Sequence, residues 1–115
     1  MKAILIDSKN KEVREVDYSG DYNEIYTLCG FSCFTCVDLD DKNTMFVDDE
    51  GLINGTEDFF LLDTYGEPLA GNALILGMDV ETGASVATTM DTDEVRGETN
   101  FANINELRLK YSSAR

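Results

Sequence analysis

The stretch Gly71-Asn72-Ala73-Leu74-Ile75-Leu76-Gly77 decides the fold. Its four central residues are apolar in succession, so an extended segment here buries both of its faces, and such a strand belongs in the middle of a sheet. The flanking segments supply partners. Residues 3–7 read as a short strand, and residues 12–17 alternate as a half-buried strand does. Ser8-Lys9-Asn10-Lys11 turns the chain between them. Residues 31–39 are rich in β-branched, aromatic and cysteine residues and read as a further strand, followed by the turn residues 40–43. Residues 44–47 return as its hairpin partner, and residues 85–88 follow the turn Glu81-Thr82-Gly83-Ala84 as a partner for the central strand.

Two helices complete the expectation. Asp21-Tyr22-Asn23-Glu24 has the form of a capping box, with Tyr22, Ile25, Tyr26 and Leu28/Cys29 on one face and Gly30 as the stop. Asn103-Ile104-Asn105-Glu106 repeats that form, with Phe101, Ile104, Leu107 and Tyr111 on one face and Arg108 and Lys110 in the last turns. Between the strands, residues 52–68 read as irregular with Phe59-Phe60-Leu61-Leu62 packing inward, and residues 90–100 read as turn. The fold class is α+β: a mainly antiparallel sheet of about five to seven short strands with helices near 21–29 and 103–112. A length of 115 residues with 43 % hydrophobic content makes this a single domain, 1–115, with a real core.

Charge is the strongest functional signal. From Glu15 to Val95 the chain carries nineteen Asp and Glu residues against one basic residue, Lys42. The ends, with Lys2, Lys9, Lys11 and Arg14 on one side and Arg96, Arg108, Lys110 and Arg115 on the other, bring the total to −14. A domain with that balance repels nucleic acid, phospholipid and most phosphorylated metabolites and attracts basic surfaces. Duplex DNA presents one charge per about 1.7 Å of its axis, so a mimic needs carboxylates in rows. Asp38, Asp40, Asp41, Asp48, Asp49, Glu50, Glu57 and Asp58 lie on or beside two successive turns and are the candidates for such a row.

Other chemistry is poorly represented. The chain has no histidine, which removes the commonest general base and metal ligand. Cys29, Cys33 and Cys36 share the spacing by which radical S-adenosylmethionine enzymes hold an iron–sulfur cluster. Their context is wrong: those enzymes use a barrel far longer than this chain, and here two of the cysteines fall in an expected strand. The three thiols read as small buried hydrophobes in a reducing compartment, with no fourth ligand for zinc. Residues 38–43 and 91–97 begin like calcium loops, yet Lys42 and Val95 stand where oxygen ligands belong. No glycine set forms a phosphate-cradling loop. With many carboxylates and no pocket signature, chance adjacency accounts for every acidic pair. The amino terminus is too soon charged for a signal peptide, and no apolar run approaches the roughly 20 residues of a membrane span. A non-enzymatic cytoplasmic protein without cofactor or metal is expected.

Three separated segments carry a resemblance: Ile25-Tyr26-Thr27-Leu28-Cys29-Gly30, then Met45-Phe46-Val47-Asp48-Asp49-Glu50-Gly51-Leu52, then Pro68-Leu69-Ala70-Gly71-Asn72 leading into the hydrophobic strand. Together they resemble the family known as domain of unknown function 3846, over about residues 2 to 90. That family is borne largely by bacteriophages and mobile elements, and the resemblance implies no enzyme activity and no binding residues. The resulting expectation is a small acidic phage-type accessory protein of the host cytoplasm. It would act by binding a basic, nucleic-acid-binding host or defence protein, through Asp40, Asp41, Asp48, Asp49, Glu50, Glu57 and Asp58. Direct binding of nucleic acid or membrane is not expected, and a homo-oligomer stays open. Two alternatives stand beside it: a protein that sequesters a small molecule or nucleotide, and an acidic domain whose charge serves solubility alone.

Overall fold

The computed structural model describes residues 1–30, 34–49, 57–63, 65–103 and 105. The chain opens with the hairpin β1 (Lys2–Asp7) and β2 (Glu12–Asp17), paired in register from Lys2↔Asp17 to Asp7↔Glu12. Helix α1 (Tyr22–Cys29) follows, then a second hairpin of β3 (Phe34–Asp38) and β4 (Asn43–Asp48). Next come β5 (Asp58–Leu62), β6 (Pro68–Ala70), β7 (Ala73–Met78) and β8 (Ser85–Val86). Helix α2 (Thr92–Glu98) and β9 (Thr99–Asn103) complete the described elements.

The main sheet runs β2-β1-β7-β4-β3, antiparallel throughout. The apolar stretch sits where its composition demands: β7 is paired on one side with β4 and on the other with β1, and beyond β1 with β8. Its residues Ala73, Leu74, Ile75 and Leu76 are all fully buried. Two glycines frame it for different reasons. Gly71 adopts φ +77°, a conformation that costs a residue with a Cβ, so the chain can swing from β6 into β7. Gly77 lies so close to the next segment that a Cβ would stand 2.3 Å from the backbone oxygen of Ala87.

Period-two alternation divides the core between the faces of this sheet. Ala3, Leu5, Phe46, Leu74 and Leu76 point to one face, where Tyr18 and the α1 residues Ile25 and Cys29 cover them. Ile4, Ile6, Met45, Val47, Ala73 and Ile75 point to the other, against Phe60 and Leu62 of β5 and Val95 of α2. A second, three-stranded sheet, β6-β5-β9, therefore forms a layer of its own with α2. The layers are helix, sheet, then sheet with helix. The α+β class with a mainly antiparallel sheet is what the structure shows.

The first helix lies where expected but differs in its face and its cap: Ile25 and Cys29 are buried, while Tyr22 and Tyr26, expected on the same face, are exposed. Asp21 accepts a hydrogen bond from the Asn23 amide at 3.0 Å, and Gly30 closes the helix at φ +76°. Glu24, however, accepts from the Ser19 amide at 3.0 Å and not from the cap residue itself. The second half departs further. Phe59-Phe60-Leu61-Leu62 packs inward as expected but belongs to a strand, β5, inside the region read as irregular. Residues 90–100, read as turn, contain α2, whose one fully buried apolar side chain is Val95. Arg96 ties α2 to β2 by donating to the Val13 carbonyl oxygen at 2.8 Å. Of the helix expected at 103–112, Asn103 instead ends β9, and apart from helical Asn105 the remainder lies outside the described residues. Nine strands are described against the five to seven expected, the additions being β5 and β6 in the region read as irregular and the polar β9.

Candidate functional site

Sheet register gathers charge that is dispersed in the sequence. Asn43 pairs with Gly77, and one residue further the Met78 amide donates to the Lys42 carbonyl oxygen at 2.7 Å. Extending that ladder brings Asp79 opposite Asp41. The β3–β4 turn, with Asp38, Asp40 and Asp41, thus stands beside the β7–β8 turn, with Asp79 and Glu81. Lys42 is the one basic side chain on these two turns. The cations at the start of the chain are engaged elsewhere: the amino terminus lies 2.8 Å from Asp17, and Lys2 donates to the Met90 carbonyl oxygen at 3.0 Å with Glu15 at 3.8 Å.

Not every carboxylate here is free to meet a partner. Asp40 accepts from the Lys42 amide at 2.7 Å and from the Asn43 side chain at 3.1 Å, which hold its carboxyl below the usual carboxylate range. Asp79 accepts from the amides of Glu81 at 2.9 Å and Thr82 at 3.4 Å, building its own turn. Asp38 accepts from the Thr44 hydroxyl at 3.3 Å. Asp38, Asp41 and Glu81 are exposed. Beneath the turns, buried Asn43 ties the whole end together: it accepts from the Thr88 hydroxyl at 2.6 Å and the Thr89 amide at 3.2 Å, and donates to the Thr89 hydroxyl at 2.9 Å.

A concavity of about 190 Å³ opens at this end on the α1 face of the sheet. An eight-residue helix reaches about 12 Å, whereas six-residue strands reach about 20 Å, so α1 leaves the end of that face uncovered. Phe46, Met78 and Tyr22 supply apolar wall, while Asp38, Thr44, Ser85 and the Cys36 thiol supply polar groups. Tyr22 is 55 % exposed and tilted at 35° to Phe34, ring centroids 6.4 Å apart, so an aromatic surface adjoins the cleft.

The structure separates the residues named from the sequence. Asp40 and Asp41 belong to the end just described. Asp48 and Asp49 leave the other end of β4, about 20 Å away along the strand. Asp58 joins that far end, where its carbonyl oxygen accepts from the Gly71 amide at 2.9 Å, and Glu57 precedes it in an exposed position. Glu50 lies outside the described residues. The charges thus occupy two patches, with uncharged Thr44, Met45, Phe46 and Val47 between them. Asp79 and Glu81 were absent from the sequence-derived set because only pairing across β4 and β7 brings them to Asp41.

The cysteines divide likewise. Cys29 is buried beneath α1, where desolvation pushes its thiol up to about 12. Cys36 lies exposed on β3, its thiol raised by partial desolvation and then by Asp38. Cys33 falls outside the described residues. Among the described residues no three Cys, Asp or Glu side chains converge as a metal site, and no helix is long and apolar enough to cross a membrane.

The segments that carry the family resemblance have architectural roles. Asn72 accepts from the Ser8 amide at 2.9 Å and donates to the Cys29 carbonyl oxygen at 3.1 Å, clasping the β1–β2 turn and the end of α1 to the start of β7. Ser8 donates in turn to the Gly71 carbonyl oxygen. Gly30 ends α1, and Met45, Phe46 and Val47 lie in β4. These are the positions on which the layers depend. No curated protein and no solved structure matches the chain. A family model for a domain of unknown function (DUF3846) matches residues 1–99, from β1 through α2 to the first residue of β9, and the chain belongs to that family.

Proposed function

We propose that this protein acts by binding, without catalysis, and that its partner presents a basic surface to the acidic end formed by the β3–β4 and β7–β8 turns. The observation that carries the reading is the register Asn43↔Gly77, which sets Asp38, Asp41 and Glu81 on adjoining turns around Lys42 alone. Such a cluster raises the local concentration of cationic partners and speeds their association in a salt-dependent way. Tyr22, exposed beside the cleft, offers an aromatic face to an arginine or lysine side chain. The separation into two patches favours a compact basic site over a long nucleic-acid groove. In this reading the partner is a host or defence protein. Asp48, Asp49, Glu57 and Asp58 form a second, more distant acidic patch in this reading.

The test is capture from a host lysate at low and high salt. It compares the wild type with a charge reversal at the acidic end (Asp38→Lys, Asp41→Lys, Glu81→Lys) and a control reversal at the far patch (Asp49→Lys, Glu57→Lys). The first variant should lose the partner that the wild type holds at low salt, while the second keeps it. Undiminished capture by the first, with its thermal unfolding unchanged, ends the proposal.

A further inference from the structure

Basic residues from the two ends of the sequence also converge. Lys11 and Arg14 come from the β1–β2 hairpin and Arg96 from α2, and together with the Glu12 carboxylate they line a concavity of about 320 Å³ whose apolar wall is Val13 and Phe101. The rim is built. Arg96 donates to the Val13 carbonyl oxygen at 2.8 Å and pairs with Asp93, so its guanidinium is fixed over the concavity. Arg14 is held by Glu12 at 2.8 Å, with Asp7 at 3.8 Å. Lys11 has no ion pair among the described residues, and its φ of +55° is a conformation that a side chain with a Cβ adopts only at a cost. A glycine or asparagine would adopt that conformation more easily.

We infer that this concavity binds a small phosphate monoester carrying an aromatic ring, a nucleoside monophosphate being the chemical type. Lys11, without an ion pair among the described residues, supplies the charge, and the N–H groups of Arg14 and Arg96 that Glu12, Asp93 and Val13 leave over supply further donors to the phosphate oxygens. Half-buried Phe101 offers a flat apolar surface on which a base can stack. The volume stands at the small end of small-molecule sites, which begin near about 300 Å³. A monoester is preferred over a polyphosphate because the chain's net charge of −14 opposes each added negative charge. The site is distinct from the acidic end, so either proposal can fail alone.

Calorimetric titration of the purified protein with adenosine monophosphate, adenosine, inorganic phosphate and adenosine triphosphate tests it. The monophosphate should bind most tightly. Lys11→Gly, which removes the charge and suits the turn, should weaken it about tenfold, as should Arg14→Gln, as expected for the loss of one charge-assisted contact. Lys11→Gly should at the same time leave the melting temperature unchanged or higher. Absence of heat with millimolar monophosphate overturns the site, and so does binding that both variants leave intact. Equal affinity for inorganic phosphate overturns the aromatic part of the assignment, and tighter binding of the triphosphate overturns the choice of a monoester.

Discussion

Replacing Asn43 by alanine tests how the acidic end is held. Asn43 is 1 % exposed and bonds to three residues: Asp40 on its own turn, and Thr88 and Thr89 after β8. Asp40 and Thr89 are exposed and can take water in exchange. Thr88 is buried at 6 % exposure and loses the acceptor of its hydroxyl. A hydrogen bond to a charged group contributes about 1.5–3 kcal/mol and a stranded buried polar group costs about 1–3 kcal/mol, so Asn43→Ala should lose roughly 3 kcal/mol. For a domain of this size about 4 °C of melting temperature accompanies each kcal/mol, giving a fall of roughly 12 °C. Asn43→Asp sharpens the test. It keeps the acceptor for Thr88 but sets a new carboxylate against Asp40 in place of a donor. Repulsion raises the folded-state pKa of the new group above its unfolded value, so its destabilisation is present at neutral pH and shrinks as pH falls through that raised value. Thermal unfolding followed by circular dichroism between neutral pH and about pH 4 reads both effects. A melting temperature for Asn43→Ala within about 2 °C of the wild type refutes the reasoning, as does a deficit for Asn43→Asp that grows on acidification.

Tyr18 is 1 % exposed, and its hydroxyl has no hydrogen-bond partner among the described residues. Tyr18→Phe should therefore raise stability by about 1 kcal/mol in denaturant unfolding, and a loss of that size would show a partner for the hydroxyl. Asp40 titrates below the usual range because the Lys42 amide, and after it Asn43, stabilise its charged form. Its contribution is full above the unfolded value near about 3.9 and disappears as pH falls through the lower folded value. The stability gap between wild type and Asp40→Asn should accordingly be open at neutral pH and close at strongly acidic pH; a constant gap contradicts the assignment. The net charge of −14 opposes compaction, so the melting temperature should rise between low and moderate salt, and a flat or falling profile would show that repulsion is unimportant.

Much of the main sheet was legible because its signals are local. Alternation in β2, the continuous apolar run of β7, the turn at Ser8-Lys9-Asn10-Lys11 and the cap and stop of α1 each occupy a few adjacent residues. The second layer was not legible in that way. β9 reads Thr99-Asn100-Phe101-Ala102-Asn103, a polar segment that is a strand because it pairs with β5 some forty positions earlier. α2 carries a glycine and one buried apolar residue, too little for a helical periodicity, and the contacts of Val95 and Arg96 with other elements hold it. At the acidic end, the role of Asp40 in its turn was hidden for the same reason: its carboxylate reads as surface charge until Asn43 is seen to lock it to residues 88 and 89.

By itself the sequence determined the fold class, the central place of residues 73–76, the hairpin ends and the sign of the charge. These follow from side-chain polarity and from dihedral preferences that act over a few residues. Only the tertiary structure decided which charges are neighbours. Antiparallel pairing of β4 with β7 brings Asp79 and Glu81 to Asp41 and sends Asp48 and Asp58 to the opposite end. Docking of α2 on β2 brings Arg96 to Lys11 and Arg14. Electrostatic fields depend on distance through space, and pairing between distant segments sets that distance.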